Sequence, residues 1–426
     1  MHLHSSTKSS RLIDATPFFY GWVILIVGTI GSIMMGPSQT FTVGIFIDHF
    51  IADLGISRSS VSLIYGLATL SASLLLPLTG QLVDRHGSRR MALIVAFLLG
   101  LACVGMAGVW GATTIFLGLL ALRFLGFGSL QLVSNNLIAQ WFIRQRGIVM
   151  GLSGLSLSIG LIIFPALAEW LITQFDWRTT WLIFGLLVWG VMLPVGWFFF
   201  KDKPEQYGLK PDGDGPGPAD LFSPTLVAER NWTLAEARHT GIFWLFLIAL
   251  STMTMVLAGL VFHQLSLFEV RGLSRESAIH AFRGMALFAV IGNLGMGRLL
   301  DKFSARSLLA GSLALLVGAM LTVQVMATPW QAFFVGGLMG LVSGSFRVMD
   351  ATVWPKYFGR LHLGAIKGAT SISIIGCTAL GPFLLGASFD YFGSYSPALN
   401  GLLVLPLIIS LLAFFIKRPE KETSSS

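Results

Sequence analysis

The sequence has few charged residues and only two cysteines. Charged residues make up 11% of the 426 residues and hydrophobic residues 54%, whereas about a quarter of a typical soluble protein is charged. A soluble fold of this composition would expose apolar surface that nothing covers, so the composition excludes an ordinary soluble protein. Both cysteines, Cys103 and Cys377, lie in apolar segments, which excludes a disulfide framework and a cysteine metal site.

The sequence also lacks the motifs that enzymes need. It contains no catalytic-triad pattern, no cluster with metal-ligand spacing and no phosphate-binding loop. We therefore expect no catalytic residue, no metal and no cofactor. The net charge of +8 is spread over short loops and forms no basic patch, so we also expect no nucleic-acid partner.

Long apolar runs make up most of the chain. Twelve are long enough for a bilayer span of about 20 residues, and they cover roughly 19–47, 58–83, 91–111, 113–138, 148–172, 179–200, 241–268, 276–300, 307–327, 329–353, 364–389 and 396–416. One long polar stretch, rich in Pro and Gly, separates the sixth run from the seventh. We predict an all-α membrane protein with twelve transmembrane helices in two six-helix halves, and a short amphipathic helix around Leu226–Arg238 between them. The predicted segments are an N-terminal tail 1–18, a first half 19–200, a linker 201–240, a second half 241–416 and a C-terminal tail 417–426.

Positive residues are distributed unevenly between the two sides of such a membrane protein. If the N-terminus is inside, the outer loops carry only Arg58, Arg178, Arg271 and Arg275, whereas the other loops and the tails carry most of the remaining Lys and Arg. An excess of positive charge is typical of cytoplasmic loops. We therefore predict a multi-pass protein of the cell inner (plasma) membrane, surrounded by lipid, with both termini and the linker cytoplasmic.

The chain contains a long internal repeat. The segment 80–90 between the second and third apolar runs reads G-x-x-x-D-R-x-G-x-R-R, and a weaker copy begins at Gly297 and is followed by Arg306. Asp84 and Asp301 are 217 positions apart, and the same offset relates three further pairs: Gly147 and Gly364, Gly151 and Gly368, Pro165 and Pro382. Such a repeat in a membrane chain is typical of transporters built from two similar halves.

These motifs resemble those of the major facilitator superfamily. The residues that carry the resemblance are Gly80, Asp84, Arg85, Gly87, Arg89, Arg90 and the segment Arg123-Phe124-x-Gly126-x-Gly128. The resemblance implies alternating access by a functional monomer. It also implies that the loop residues form a conformational latch, because an acid near a helix N-terminus suits the helix dipole; the alternative is that the arginines only set topology. The expected latch residues are Gly80, Asp84, Arg85, Arg89, Arg298 and Asp301.

Within the superfamily the chain is similar to the monocarboxylate transporter family, in particular its bacterial and oxalate/formate-type branch. The supporting segments are 19–22 (FYGW), Phe262-His263-Gln264, 141–151 with its Trp-Phe pair, and 354–368 with Trp-Pro-Lys-Tyr-Phe-Gly-Arg. Val149 departs from the alanine that is usual in the family. A second departure is that the middle of the eleventh run, 370–377, has no cation, whereas oxalate-type exchangers have one there.

Charged residues inside the apolar runs are the first candidates for a substrate site, because such a charge costs at least about 2.5 kcal/mol in lipid. The resemblance assigns Arg283 to the substrate anion, and a guanidinium matches a carboxylate in bidentate fashion. The alternative is an arginine that extends to the membrane surface. Arg123 shares a predicted helix face with Phe127, Gln131 and Asn135, and we expect this polar stripe to face the cavity.

Five further residues complete the expected site. Arg347 and Asp350 are three residues apart, which favours mutual neutralisation over a substrate role for Arg347. Asp350 or His263 is expected to carry a proton, because both titrate when their environment changes; the alternative for His263 is a structural role. Tyr357 and Gln39 are expected to help bind the substrate. Gly36-Pro37 and Gly381-Pro382 are each expected to interrupt a helix.

We therefore predict a secondary active transporter of a small organic monocarboxylate, such as lactate or pyruvate, moved together with a proton. One arginine without an acid nearby suits one carboxylate. The alternatives are an organic-anion exchanger of the oxalate/formate type and an efflux antiporter for hydrophobic compounds, for which Asp48 is the candidate acid. A membrane receptor or sensor would need a long soluble extension, and the chain shows none.

Overall fold

The computed structural model describes residues 11–143, 145–213, 232–359 and 362–416. Within these ranges it confirms the all-α prediction, with twelve helices long and apolar enough to cross a membrane. They are α1 (Gly21–Leu54), α2 (Arg58–His86), α3 (Ser88–Ala107), α4 (Ala112–Trp141), α5 (Ile148–Gln174), α6 (Trp177–Phe199), α7 (Gly241–Phe262), α8 (Arg275–Lys302), α9 (Ala305–Val325), α10 (Pro329–Phe358), α11 (Leu363–Phe392) and α12 (Ser396–Phe415).

Only part of the predicted linker helix is seen. It spans Leu234–Arg238, with Thr233 as N-cap, and the residues predicted to begin it lie outside the described ranges. The repeat predicted from the sequence falls on matching elements, because Asp84 and Asp301 lie near the ends of α2 and α8. Likewise, Pro165 and Pro382 lie inside α5 and α11.

Packing contacts divide the chain into two compact units. The first unit runs to His49 and resumes at Ser71, ending in the linker. The second unit contains the remaining segment, Phe50–Leu70, together with the last part of the linker and everything after it. The N-terminal part of α2 therefore packs with the helices of the second half of the sequence.

Glycines let helices of the second unit approach each other closely. A Cβ atom at Gly336, Gly340 or Gly344 of α10 would collide with the backbone of α8. At Gly381 of α11 it would collide with the carbonyl oxygen of Met255 in α7. Small residues at helix interfaces are the usual means of close packing in lipid, where no hydrophobic force pulls helices together.

The predicted interruption at Gly36-Pro37 is confirmed. The α-helix of α1 ends at Met34, a 3₁₀ turn covers Gly36–Ser38, and Gln39 is extended before helical structure resumes. The hydroxyl of Thr42 donates to the carbonyl of Gly36 at 2.7 Å across the interruption. From α4, Arg123 Nη1 donates to the carbonyl of Ser38 at 3.0 Å.

The predicted interruption at Gly381-Pro382 is wrong. α11 continues through Pro382 to Phe392. One lost backbone hydrogen bond is tolerated in a membrane helix when neighbouring groups support the backbone. Here α7 packs directly against Gly381, and the ring of His263 lies 2.8 Å from the carbonyl oxygen of Pro382.

Candidate functional site

Asp350 of α10 pairs with Lys367 of α11 rather than with Arg347. The Lys367 ammonium lies 2.6 Å from Asp350 Oδ2 and 2.9 Å from the Asp350 carbonyl oxygen. Trp354 Nε1 donates to Asp350 Oδ1 at 3.1 Å. The expected neutralisation of Arg347 by Asp350 is therefore wrong, because a cation from a neighbouring helix already holds the carboxylate. The sequence signal for Lys367 was weak, since it lies near one end of its helix.

Arg347 is partly buried in α10 and makes no hydrogen bond or ion pair with the residues that the structure describes. It shares a helix face with Trp354 and Phe358, which follow it by seven and eleven residues. Both of those rings contact Phe243 of α7, at centroid distances of 5.6 and 6.1 Å. Arg347 therefore lies on the side of α10 that faces α7.

Hydroxyl groups lie at the same depth as Arg347. Ser251 follows Phe243 by eight residues in α7, and Arg347 precedes Trp354 by seven residues in α10. The rise of each helix therefore places Ser251 and Arg347 about 10–16 Å from the point where Phe243 contacts the rings of α10. Ser251 Oγ lies 3.1 Å from Ser373 Oγ of α11. We call Ser251, Arg347, Asp350, Lys367 and Ser373 the polar layer of the second unit.

Arg283 lies elsewhere on α8 and is exposed. Its Nη1 lies 3.2 Å from His280 Nδ1, and His280 Nε2 lies 3.5 Å from Glu276 Oε1. Glu276, two helical turns before the arginine, was missed by the sequence reasoning, although its spacing from His280 is that of neighbours on a helix. No acid contacts the Arg283 guanidinium directly within the described residues.

His263 is 1% exposed and takes part in helix packing. Its Nε2 lies 2.8 Å from the carbonyl oxygen of Pro382 in α11 and 3.3 Å from Ser62 Oγ of α2. Its ring packs against Tyr395, with centroids 5.5 Å apart. Tyr357 stacks on Phe246 of α7 at 5.5 Å. The described contacts of His263 and Tyr357 thus lead to different partners from those of Arg283.

In the first unit, the predicted polar stripe of α4 is divided. Arg123 is 1% exposed, and its guanidinium lies over the Phe127 ring at 4.0 Å. Residues Arg123–Leu130 form a π-helix, so steps of four no longer keep one face. Gln131 Nε2 donates to Asn135 Oδ1 at 3.1 Å and lies 3.3 Å from Ser32 Oγ. Arg123 therefore contacts α1 and Phe127, and the two amides contact each other, so the stripe is present as two separate pairs.

Gln39 lies in the α1 interruption and is 5% exposed. Its Nε2 is buried and finds no hydrogen-bond partner among the described residues. A buried amide without a partner is costly, so its position is consistent with a site for a polar ligand.

The loop between α2 and α3 has a partner that the sequence reasoning missed. Gly87 has φ 84°, a conformation that favours glycine. Asp202, just after α6, accepts a hydrogen bond from the Arg89 backbone N–H at 2.7 Å and so caps α3. Arg89 Nη2 donates to the Trp197 carbonyl at 2.7 Å. Burial, together with the Arg89 charge, lowers the pKa of the adjacent Lys201.

Three other expected latch residues, Gly80, Arg85 and Arg298, show no such contacts with the described part of the chain. Arg85 and Arg298 are exposed, and Gly80 lies within α2 with open space beside it. The side chains of Asp84 and Asp301 lie outside the described part of the structure. The latch therefore stays a prediction for these residues.

The chain is similar to known transporters in sequence. The family model described as Major Facilitator Superfamily matches residues 25–292, more than half of the chain. An uncharacterized MFS-type transporter, YhcA of Bacillus subtilis, is 28% identical over 233 residues, which cover 54% of this chain and 42% of the relative. A galacturonate transporter of Dickeya chrysanthemi is 25% identical over 192 residues (43% and 53%). Monocarboxylate transporter 6 of Mus musculus is 24% identical over 176 residues (41% and 37%). These matches span about half of each relative's length or less.

Solved structures with the same fold are also transporters. A bacterial homolog of the human lysosomal transporter Spinster, in an inward-facing and occupied conformation, has a TM-score of 0.73 at 15% identity and covers 96% of this chain and 100% of that one. A mutant of the nucleoside transporter NupG has a TM-score of 0.71 at 11% identity, covering 93% and 99%. At these identities the likeness shows the fold alone.

Proposed function

The chain belongs to the major facilitator superfamily and is a secondary transporter, not an enzyme, and from that premise we propose that it carries a small organic monocarboxylate together with a proton. Relatives whose names give a substrate include a monocarboxylate transporter and a galacturonate transporter, and both names specify carboxylic acids. A cis,cis-muconate transport protein of Acinetobacter baylyi is a further carboxylate carrier among them.

The observation that carries the proposal is Arg283. Its described hydrogen bond goes to a histidine, so the guanidinium keeps donors for a carboxylate. We propose that Arg283 binds the substrate anion, and that His263, Asn135, Gln131, Tyr357 and Gln39 contact it at other points of its path. A proton carried by Asp350 or His263 would neutralise the load, so that it crosses without working against the membrane potential.

The test is uptake into proteoliposomes of labelled lactate, pyruvate, acetate, formate, oxalate and a cationic dye, with and without an inward proton gradient. We expect gradient-driven uptake of a monocarboxylate, reduced at least about tenfold in Arg283→Gln, since a hydrogen bond to a charged group contributes about 1.5–3 kcal/mol. Arg271→Gln is the matched control, because this arginine lies near the same end of α8.

The other outcomes separate the alternatives. Uptake that ignores the proton gradient but needs an anion on the opposite side would establish an exchanger. Movement of the dye without any anion uptake would refute the proposal and direct attention to Asp48. Undiminished monocarboxylate uptake by Arg283→Gln would refute the role of this arginine.

A further inference from the structure

Arg347 needs an anion that the described protein does not supply. A charged arginine in the middle of a membrane helix costs about 2.5–3.5 kcal/mol unless it meets a partner or water. The nearest acid in sequence, Asp350, is held by Lys367 and Trp354. Among the described residues no other carboxylate contacts Arg347.

The two cations of the polar layer are close to each other. Arg347 and Asp350 are three residues apart on α10, so their side chains lie on neighbouring positions of one face. Since the Lys367 ammonium is 2.6 Å from Asp350 Oδ2, it lies within about one helical turn of Arg347. Two cations and one carboxylate leave one positive charge uncompensated, which suits one substrate carboxylate.

We propose that Arg347 and Lys367 form a carboxylate-binding site in which Asp350 occupies the place of the substrate anion during the empty state. This proposal rests on the proposed function and deepens it. The substrate carboxylate accepts hydrogen bonds from the Arg347 guanidinium and the Lys367 ammonium, and displaces the Asp350 carboxylate. Asp350 Oδ2 then takes one proton from water on that side. When the substrate leaves, Asp350 releases that proton on the other side and binds Lys367 again.

Asp350 is the acid of the polar layer that we expect to exchange a proton with water. α7 has no ionisable residue over Gly241–Phe262, and α11 contributes Lys367. α8 carries Arg298, Asp301 and Lys302 near its end, while Arg306 of α9 and Lys356 of α10 donate to the backbone carbonyls of Ile416 and Leu300. The only described carboxylate contact of Lys367 is Asp350.

The polar layer is distinct from the position of Arg283. A Cβ at Gly336 of α10 would meet Ala281 of α8, so Arg283 lies near the level of Gly336. Arg347 is eleven residues further along α10, or roughly 16 Å. One small anion therefore cannot contact both arginines at once, and the two would bind it at different depths along its path.

The experiment compares labelled-pyruvate exchange at equal pH with pyruvate accumulation driven by a proton gradient, in proteoliposomes. We expect Arg347→Gln and Lys367→Gln to lose both activities at least about tenfold, and Arg347→Lys to retain part of the exchange. Asp350→Asn should keep exchange and lose accumulation, because the asparagine cannot carry the proton. Arg271→Gln is the control and should keep both.

A binding measurement on the purified variants distinguishes loss of the binding site from loss of folded protein. In detergent, pyruvate should raise the unfolding temperature of wild type and Asp350→Asn, and raise that of Arg347→Gln by clearly less, because only the Arg283 position remains to bind it. Normal exchange by Arg347→Gln would overturn this site while leaving the role of Arg283 intact. Folded Asp350→Asn that loses exchange as severely as Arg347→Gln would overturn the displacement step. If wild type moves none of the labelled anions, the proposed function itself fails, and this site with it.

Discussion

At the scale of single residues, Gly381 shows how little space separates α7 from α11. A Cβ atom there would collide with the Met255 carbonyl, and a Cβ at Gly259 would lie 3.0 Å from the Gly381 carbonyl oxygen. The contact is between backbones, so neither side can move a flexible side chain aside. Any side chain at Gly381 must therefore push the two helices apart.

We predict that Gly381→Ala lowers the free energy of unfolding by about 1–3 kcal/mol, the usual cost of overpacking. The measurement is denaturant or thermal unfolding of the purified protein in detergent. Gly376→Ala is the matched control on the same helix, because nothing lies within 4 Å of its added Cβ. Equal stability of the two variants would show that α7 and α11 are not in backbone contact.

A second residue-scale prediction concerns Asp202. Replacing it with Asn should weaken the cap of α3, because the charged acceptor of the Arg89 N–H becomes neutral. Loss of such a cap costs about 0.5–2 kcal/mol, which thermal unfolding would detect. Glu205→Gln, an exposed acid in the same segment, should leave stability unchanged.

Pairs of charges were harder to predict from the sequence than single charges. Arg347 and Asp350 are three residues apart, and that spacing alone favours a pair. Lys367 comes from the next helix, and its distance to Asp350 depends on how α10 and α11 pack. Asp202 was missed for the same reason, since its partner Arg89 is 113 residues away in the sequence.

At the scale of helices, the interruption of α1 depends on groups that replace the missing helical bonds. The Thr42 hydroxyl is fully buried and donates to Gly36 across the 3₁₀ turn. We predict that Thr42→Val destabilises the protein by about 0.5–1.5 kcal/mol, the net value of such a bond. Thr29→Val is the control, because Thr29 bonds the carbonyl four residues back in regular helix. Equal unfolding temperatures would argue against a supporting role for Thr42.

The same dipeptide, Gly-Pro, interrupts α1 and leaves α11 continuous. The sequence predicted an interruption at both places, because proline removes a backbone donor wherever it occurs. What differs is the surroundings: Arg123 and Thr42 bind the freed carbonyls in α1, whereas α7 packs along α11. Those surroundings come from distant parts of the chain, so local pattern could not distinguish the two cases.

At the scale of the whole molecule, the number and order of the helices could be predicted almost completely. Apolar runs of bilayer length give all twelve that the described residues contain, because each must satisfy its own backbone in lipid. Their boundaries differ by several residues, since polar helix ends extend beyond the apolar part. The grouping of Phe50–Leu70 with the second unit could not be predicted, because it follows from packing between helices far apart in sequence.

Orientation is the whole-molecule prediction to test. Single-cysteine labelling with a membrane-impermeant maleimide should leave Glu205→Cys unlabelled in intact cells and label Glu276→Cys, since we propose that the first lies inside and the second outside. Both positions are exposed, whereas Cys103 is buried and Cys377 partly buried, which keeps the background low. After cell lysis both should react. Labelling of Glu205→Cys in intact cells would reverse the orientation.

The N-terminal part of α2 has a consequence for recombination between related genes. Ser59 N–H donates to Asp390 of α11 at 2.7 Å, and Gly66 and Gly386 fit closely against the opposite helix. A crossover in the linker would therefore join an α2 from one parent to an α11 from another. We expect functional hybrids to be those in which residues 50–70 and the second half come from the same parent gene, so that both sides of this contact match.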